Sequence, residues 1–387
     1  MRLFRTFMRT PLGLLTVIIG CILAASGSAG PRPSSTLPFE VHWTNGVCRN
    51  CQTARTVGSI AFARGRDVWA LGYNPPGEAG AGDYSVLHSV DGGRIWRELH
   101  GTFQHNSAPD VSFASPNDGL IRLFDVTEAS PELLITHDAG RSWRRVSTPD
   151  AIDQVQYMGH GQAAAYSNNI YSKATGLHTA DNLEHAWHYE PLPVGFWPSA
   201  LRFTEPQRGV LGGCLDHHLA VLATSDWGEH WSTSLLDAPI AVTKTGSGCD
   251  AEISGIAVAQ RENRWLLAQR TVYPLGGLKG FMGVWRSEDA GAHWTSVFRE
   301  EDSGPPEDYV FFDGPFLLGD DIIILSKHGP VDSHSIVYST DQGAHWSEAP
   351  FRSALDGCAP SGGGLICAGR DFSTAFLSPR RKTPTGR

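Results

Sequence analysis

Residues Ser287-Glu288-Asp289-Ala290-Gly291-Ala292-His293-Trp294 carry the pattern that decides the fold. Reduced to the positions that recur, it reads Ser/Thr-x-Asp-x-Gly-x-x-Trp. The other exact copies begin at Ser89, Thr136, Thr224 and Ser339. A sixth copy begins at Thr179 and is degenerate, because Leu183 replaces the glycine and Trp187 comes one residue late. Recurrence of this kind defines an internal repeat, and the repeat sets the architecture.

Each copy has the composition of a turn in a β-hairpin. The aspartate and the Ser/Thr hydroxyl can accept hydrogen bonds from backbone N–H groups, and glycine permits positive φ. The tryptophan is expected to open the next strand and to pack beneath the turn. Preceding segments such as Gly283–Arg286 and Ser335–Tyr338 favour half-buried strands. The six aspartates, expected to be structural, are Asp91, Asp138, Asp181, Asp226, Asp289 and Asp341.

This phrase resembles the Asp-box, or bacterial neuraminidase repeat, and the chain is similar to the Asp-box β-propellers. That group includes sialidases, glucan-cleaving glycosidases, the sortilin ectodomain and photosystem II assembly factors. The resemblance implies an all-β propeller. Successive repeat aspartates are 47, 43, 45, 63 and 52 residues apart, which suits one four-stranded antiparallel blade per repeat.

The ends of the chain predict how the ring closes. After the sixth repeat only three strand candidates remain, around Cys358, at Gly364–Ala368 and at Phe372–Leu377. One unassigned strand, Phe39–Trp43, precedes the first repeat. Placed as the fourth strand of the last blade, it completes a seven-bladed β-propeller over residues 39–379. Closure removes exposed sheet edges, which favours this arrangement.

Residues 1–30 read as an export signal. Arg2, Arg5 and Arg9 precede the apolar run Leu12–Ala25, and small residues follow it at 26–29. In a second interpretation Cys21 ends a lipobox-like run and carries a lipid anchor. Residues 31–38 are expected to be a linker and 380–387 a basic flexible tail. The mature protein is then periplasmic, extracellular or envelope-associated, with no transmembrane span.

Six cysteines follow the signal, and an even number in an exported chain favours disulfides. Cys48-x-x-Cys51 lacks the His of a haem attachment site and the second ligand pair of a zinc site, so a small loop disulfide is predicted. Cys214 and Cys249 are expected on one side of the propeller, where they could pair. Cys358 and Cys367 fit the first two strands of the last blade.

The net charge of −9 argues against nucleic acid as a partner. No metal or cofactor site is expected, since the histidines preceding the repeat tryptophans (His230, His293 and His345) belong to different hairpins. A monomer is expected. Its ligand, a protein or a carbohydrate, should bind on the side opposite the repeats, which in propellers usually carries the binding site.

Two enlarged loops, Leu236–Glu252 and Tyr273–Met282, are expected on that side, where long loops are often functional. The weak catalytic candidates are Asp216, Asp250, Glu252, Glu307, Asp308 and Tyr273. The candidates for ligand binding are Trp197, His217, His218, Arg270, Lys279 and Arg370. Solvated polar loops explain the same residues equally well, and a second interpretation places Trp197 in the core.

Two functions follow from this inventory. The first is a non-catalytic binding or assembly scaffold of the cell envelope. The second is a glycoside hydrolase, which needs two carboxylates flanking a sugar. A sialidase would also need an arginine triad, one member of it in an Arg-Ile-Pro motif, because the arginine fork matches a carboxylate. The sequence contains no Arg-Ile-Pro, and Arg64 occupies the nearest position.

Overall fold

The computed structural model describes residues 37–74, 83–104, 110–123, 132–148, 152–167, 175–183, 185–216, 218–237, 251–259, 265–271, 280–302, 311–329, 333–369 and 371–380. The predicted export signal lies outside these residues, as do most of the predicted linker and tail. All regular elements in the described part are β-strands. No helix there is long and apolar enough to cross a membrane.

Apart from β1, the strands of each sheet follow one another in the chain. The first half of the described chain contains β1 (Phe39–Asn45), β2 (Val47–Arg49), β3 (Thr56–Arg64), β4 (Asp67–Asn74), β5 (Asp83–Ser89), β6 (Ile95–Gln104), β7 (Asp110–Ser115), β8 (Asp118–Leu123), β9 (Glu132–Thr136), β10 (Arg144–Val146), β11 (Gln154–Gly159), β12 (Gln162–Ser167), β13 (Gly176–Ala180) and β14 (His188–Pro191). The second half contains β15 (Phe196–Glu205), β16 (Arg208–Leu215), β17 (His218–Thr224), β18 (Ser232–Leu235), β19 (Ala251–Val258), β20 (Trp265–Thr271), β21 (Gly280–Ser287), β22 (Thr295–Asp302), β23 (Phe311–Leu318), β24 (Ile322–His328), β25 (His334–Ser339), β26 (Ser347–Pro350), β27 (Asp356–Ser361), β28 (Gly364–Ala368) and β29 (Ser373–Pro379).

Six sheets have four antiparallel strands: β7–β10, β11–β14, β15–β18, β19–β22, β23–β26 and β27–β29 with β1. The innermost strands follow one another in contact from β3 through β7, β11, β15, β19 and β23 to β27, and β27 contacts β3 again. The fold is therefore an all-β propeller with four-stranded antiparallel blades.

The sheet of β3 to β6 differs from the predicted blade because it has a fifth strand. The short β2 pairs in parallel with β6, Cys48 lying opposite Trp96. The segment that follows is anchored by Glu98, whose carboxylate accepts the backbone N–H groups of Gln52, Thr53 and Ala54. Burial tends to raise the pKa of Glu98, but these hydrogen bonds outweigh it and lower the pKa.

The amino-terminal strand closes the last sheet, as predicted. Strand β1 pairs with β29 along its whole length, from Phe39 opposite Pro379 to Asn45 opposite Ser373. Phe39 is 1% exposed and packs in one apolar cluster with Leu365 and Leu377. The first described strand therefore supplies the outer edge of a sheet whose other strands come last in the chain.

The second and third strands are more buried than the sequence pattern predicts. Gly283–Trp285 is buried at every position, where alternation is expected. The same holds for β13 and for nearly all of β16 and β17. Each sheet packs face to face with the next, so its middle strands have no solvent face and lose the period of two.

Innermost strands are also joined from sheet to sheet by side chains that bond to backbone. Gln154 and Gln156 of β11 accept the N–H groups of Leu201 and Phe203 in β15, at 2.9 and 2.7 Å. Ser199 of β15 in turn accepts the N–H of Ile253 in β19 at 3.0 Å. These bonds satisfy backbone groups that a sheet edge would leave unpaired.

The repeat turns have the hydrogen bonds that their composition predicts. In all five exact copies the Ser/Thr hydroxyl donates to the aspartate Oδ1 at 2.8–2.9 Å. The same hydroxyl accepts the glycine N–H at 2.7–2.9 Å. The aspartate Oδ1 accepts the N–H four residues later at 2.8–3.0 Å. Each turn is a closed polar unit, so its aspartate has a structural role.

The repeat tryptophans join neighbouring sheets. Only Trp96 lies inside the following strand, whereas the other four in exact copies come one residue before it, which differs from the prediction. Three indoles donate to a carbonyl of the preceding sheet or its flanking loop: Trp96 to Phe372 at 3.2 Å, Trp187 to Ser147 at 3.1 Å, and Trp346 to Val297 at 2.6 Å. Packing beneath the turn is thus packing against the neighbouring sheet.

The repeat glycines face the same boundary. Each of the five has φ between 71° and 95°. A Cβ added at Gly343 would lie 2.7 Å from Val297 Cβ of the preceding sheet, and one at Gly140 would lie 2.7 Å from Leu99 Cδ1. Glycine is required here for two reasons, its backbone conformation and the close approach of the neighbour.

Two disulfides agree with the predicted pairs, Cys48–Cys51 and Cys358–Cys367. Cys48 lies in strand β2, so the first is not purely a loop disulfide as predicted. The second joins paired positions of β27 and β28. Cys214 is also disulfide-bonded, while Cys249 lies outside the described residues. Disulfides indicate an oxidising compartment.

Substituting Gly343 by alanine tests the close approach. Gly319 is the control, because its φ is +65° and nothing lies within 4 Å of an added Cβ. We expect Gly319→Ala to lower the free energy of unfolding by about 1 kcal/mol through backbone strain alone. Gly343→Ala should cost about 3 kcal/mol, since steric overlap adds to that strain. Denaturant unfolding of both variants measures the difference, and equal losses would contradict the role assigned to the neighbouring sheet.

Candidate functional site

The repeat turns lie beside the hairpins that join first to second strands. Backbone N–H groups of Gly92, Ala139 and Trp227 donate to carbonyls in those hairpins. Because the strands are antiparallel, loops between second and third strands and crossovers between sheets lie at the other strand ends. We call that end of the strands the upper side.

Most of the predicted site residues lie outside the described part of the chain. These are Asp250, Tyr273, Lys279, Glu307, Asp308, His217 and Arg370. Glu252 and Arg270 are placed by their backbone only, opposite each other in β19 and β20. Asp216 directly follows β16 and has φ of 49°, and His218 begins β17. The structure therefore places these last two on the upper side, and their catalytic and binding roles stay predictions.

The aromatic segment at Trp197, for which the sequence left a binding role and a core role open, lies in a strand. Phe196 and Trp197 begin strand β15, and Trp197 lies opposite Cys214 in the register. Phe196 is 2% exposed and belongs to the core, Trp197 is half-buried, and only Val194 protrudes, at 97% exposure. The alternative that these rings pack into the sheet is the better description.

Three described carboxylates on the upper side are engaged by side chains of an adjacent strand. Asp110 accepts from Arg122 at 2.7 Å, Glu132 accepts from Arg145 at 2.7 Å, and Asp313 lies 2.8 Å from the His328 ring. These contacts hold strands together within sheets. Each of these three carboxylates therefore has a structural partner in its own sheet.

A cleft that the sequence did not reveal lies on the upper side of the last sheet. Its volume is about 330 Å³. Strand β1 supplies one wall, the connection from β28 to β29 a second, and the crossover from β26 to β27 a third. The lining residues are Trp43, Asn45, Gly46, Arg352, Ser353, Asp371, Phe372 and Ser373.

The Trp43 ring is enclosed by its neighbours. The Arg352 guanidinium lies over it, 5.3 Å from the ring centroid, and the Phe351 ring is 5.5 Å away at 42°. A Cβ added at Gly369 would lie 2.8 Å from Trp43 Cζ3, so backbone covers a further edge. Trp43 is a wall of the cleft rather than an open aromatic platform.

Two opposite charges line the cleft without neutralising each other. Arg352 and Asp371 are both exposed, and neither forms an ion pair with a described residue. Asp371 has φ of 58°, and its carbonyl accepts the Val57 N–H at 2.7 Å and the Thr56 hydroxyl at 2.8 Å. The backbone of Asp371 is thus fixed against β3, while its carboxylate remains available.

Ser353 contributes a buried hydroxyl with no partner. The residue is 5% exposed, lines the cleft, and its Oγ has no hydrogen bond in the described structure. A buried polar atom left unsatisfied is costly and needs an explanation, often at a functional site. The sequence offered one signal for this site, the prediction that Trp43 closes the last sheet.

One group of side chains could hold a metal ion by geometry. Ligand atoms of Asp226, Glu229 and His230 lie within 4.8 Å of one another. The Asp226 oxygens already accept from the Thr224 hydroxyl and pair with His230 in the turn. All three belong to a single exposed repeat turn, so the hydrogen bonds of that turn account for them.

Comparison with known proteins gives the fold and no family. No protein-family model matches the chain, and no curated protein is significantly similar in sequence. The structure of YCF48 bound to D1 peptide is similar, with a TM-score of 0.54 and 16% identity over 89% of this chain and 97% of that one. Puromycin hydrolase has a TM-score of 0.50 and 12% identity over 87% of this chain.

A GH74 xyloglucanase from Xanthomonas campestris has a TM-score of 0.49 and 12% identity over 86% of this chain. The chain spans 52% of the xyloglucanase and 55% of puromycin hydrolase. The similarities to YCF48 and puromycin hydrolase agree with the β-propeller fold and, at these identities, show the fold alone. They transfer neither activity nor ligand.

Replacing Ser353 tests whether its hydroxyl is unsatisfied. We expect Ser353→Ala to raise the free energy of unfolding by about 1 kcal/mol, because an unpaired buried hydroxyl is removed. Ser326 is the matched control, since it is 1% exposed and its Oγ accepts the Leu355 N–H at 2.9 Å. Ser326→Ala should lower the free energy by about 1 kcal/mol or more. If both variants lose stability in denaturant titrations, Ser353 has a partner.

The repeat turns should also give the protein a defined response to acid. Hydrogen bonds from the His345 backbone and ring and from the Ser339 hydroxyl lower the pKa of Asp341 from 3.8 to about 2. A lowered pKa contributes stability above the unfolded value of about 4, and this is lost as pH falls toward 2. We expect unfolding free energies of Asp341→Asn to fall less steeply than wild type between pH 4 and pH 2. Parallel curves would show that the turn carboxylate makes no such contribution.

Proposed function

We propose that this chain is an exported, non-catalytic β-propeller that binds a protein or glycan partner in the cell envelope. The mature domain acts as a binding or assembly scaffold and presents the cleft at Trp43 as its contact site. The two disulfides support an oxidising compartment. The proposal includes the export signal at 1–30 and retains the lipid anchor at Cys21 as an alternative mode of attachment.

The content of the cleft carries this proposal. Among the described residues that line it, Asp371 is the single carboxylate. Glycoside hydrolysis needs two, separated by about 5–10 Å. The cleft instead combines an arginine, an aspartate and an amide, a set suited to holding a polar ligand in one orientation.

The detailed architecture belongs to the same proposal. We count the five-stranded sheet as the seventh blade, with β2 as an added outer strand, because its β3 stands between β27 and β7 in the sequence of inner-strand contacts. We also identify the repeat turns as Asp-boxes. Their common hydrogen bonds and glycine conformation support that identification.

The peptide-bound YCF48 structure has the same fold and nearly the same length as this chain. It supports the capacity of such a propeller to bind a protein segment. The glycoside hydrolase hypothesis depends on the carboxylates of the enlarged loops, Asp250, Glu252, Glu307 and Asp308, and is the alternative that the experiment must separate from binding.

An activity screen separates the two functions. The purified mature domain is incubated with a panel of aryl glycosides, including a sialoside, beside a known sialidase as positive control. We expect no turnover above background, since hydrolysis needs a placed carboxylate pair. Turnover that disappears in Asp250→Asn or Glu307→Gln, while the variants keep the wild-type melting temperature, would replace the scaffold proposal by hydrolysis.

A further inference from the structure

The upper-side cleft has features that favour a peptide over a glycan as its ligand. This inference rests on the proposed binding function. We infer that the ligand of the cleft is an extended peptide segment that presents both an acidic and a basic group, one to Arg352 and the other to Asp371. The segment belongs to a partner protein.

The aromatic residues of the cleft are poorly placed for a sugar. A sugar ring binds by stacking on an open aromatic face, but Trp43 is covered by Arg352 and packed against Phe351. Phe372 packs against the apolar cluster between the last and first sheets. Protein neighbours therefore occupy part of each ring, which reduces the aromatic surface left for stacking on a sugar.

The charges favour a ligand of complementary charge. Arg352 and Asp371 line one cleft and have no ion-pair partner among the described residues. A neutral glycan would take solvent from both charges and return hydrogen bonds in which only the protein partner is ionised. A peptide with an acidic and a basic group returns a bond to each in which both partners are ionised, and the arginine–carboxylate pair can also be bidentate.

The exposed amide of the cleft suits a peptide backbone. Asn45 offers both a donor and an acceptor. Main-chain N–H and C=O groups of an extended segment present the same two functions at regular intervals. Fixing Asp371 through its carbonyl bonds to β3 keeps one charge in place before the ligand arrives, which reduces the entropic cost of binding.

A peptide library gives the first test. Blocked hexapeptides built from Glu, Lys, Gln, Ala, Phe and Ser are displayed on beads and selected with the labelled mature domain. The expected result is enrichment of peptides that contain both Glu and Lys. Failure to select any peptide, or selection of singly charged or neutral peptides, would overturn the inference.

Variants then assign the charges for one selected peptide. Affinity is measured by fluorescence anisotropy for the peptide and for analogues with Glu→Gln or Lys→Gln. We expect Arg352→Gln and Asp371→Asn each to weaken the parent peptide about tenfold. Arg352→Gln should have little further effect on the Gln-for-Glu analogue, and Asp371→Asn little on the Gln-for-Lys analogue. Asn tolerates the positive φ of Asp371, so the backbone is preserved.

Matched controls lie away from the cleft. Arg64→Gln and Glu205→Gln neutralise exposed residues at the repeat-turn ends of β3 and β15 and should leave affinity unchanged. If they weaken binding as much as the cleft variants, the attraction is general and the assigned site is wrong.

A neutral oligosaccharide array, probed in parallel, separates the possible failures. Binding to oligosaccharides but to no peptide would overturn this inference and leave the scaffold function standing. Turnover of glycosides in the activity screen would overturn the scaffold function itself.

Discussion

The contact between each repeat turn and the sheet before it is the constraint on which the fold depends. At this boundary the turn brings its glycine against a neighbouring side chain and, in three cases, its indole N–H onto a neighbouring carbonyl. The hydroxyl and carboxylate hold the turn in the one conformation that permits this approach. Local hydrogen bonding therefore determines the spacing between sheets, and repetition of the spacing builds the ring.

The strand β1 links ring closure to the cleft. As the outer strand of the last sheet it covers an edge that would otherwise be unpaired. The end of β1 brings Trp43 and Asn45 beside Arg352 and Asp371. The first two residues come early in the chain, and the last two come late in it. Strand β2, which follows β1 directly in the chain, pairs with β6 of the first sheet. One continuous segment therefore spans the boundary between the last and first sheets. Closure of the ring and formation of the cleft share the same residues.

The sequence predicted the features that come from repeated local interactions. It did not reveal the features that form where distant segments of the chain meet. The turn bonds, the strand at Phe39–Trp43 and the disulfide Cys358–Cys367 follow from short patterns with a direct physical meaning. The full burial of Gly283–Trp285 does not, because it results from stacking against another sheet. Arg352 and Asp371 carry no motif, and each gains significance only from its position relative to Trp43. The fifth strand β2 was missed for the same reason, since its partner lies far along the chain.

The same division explains why the proposed binding site carries no sequence motif. The repeat aspartates and their histidines are the most conspicuous residues of the sequence. They form hydrogen bonds with each other inside the turns that they build. Charges that serve a ligand must instead be left unpaired by the fold, and a stable fold tolerates this only where solvent or a ligand can satisfy them. Arg352 and Asp371 meet this condition in a cleft whose backbone is fixed by β1 and β3. A site of this kind depends on scaffold rigidity rather than on any recurring sequence phrase, so it can vary while the propeller remains the same.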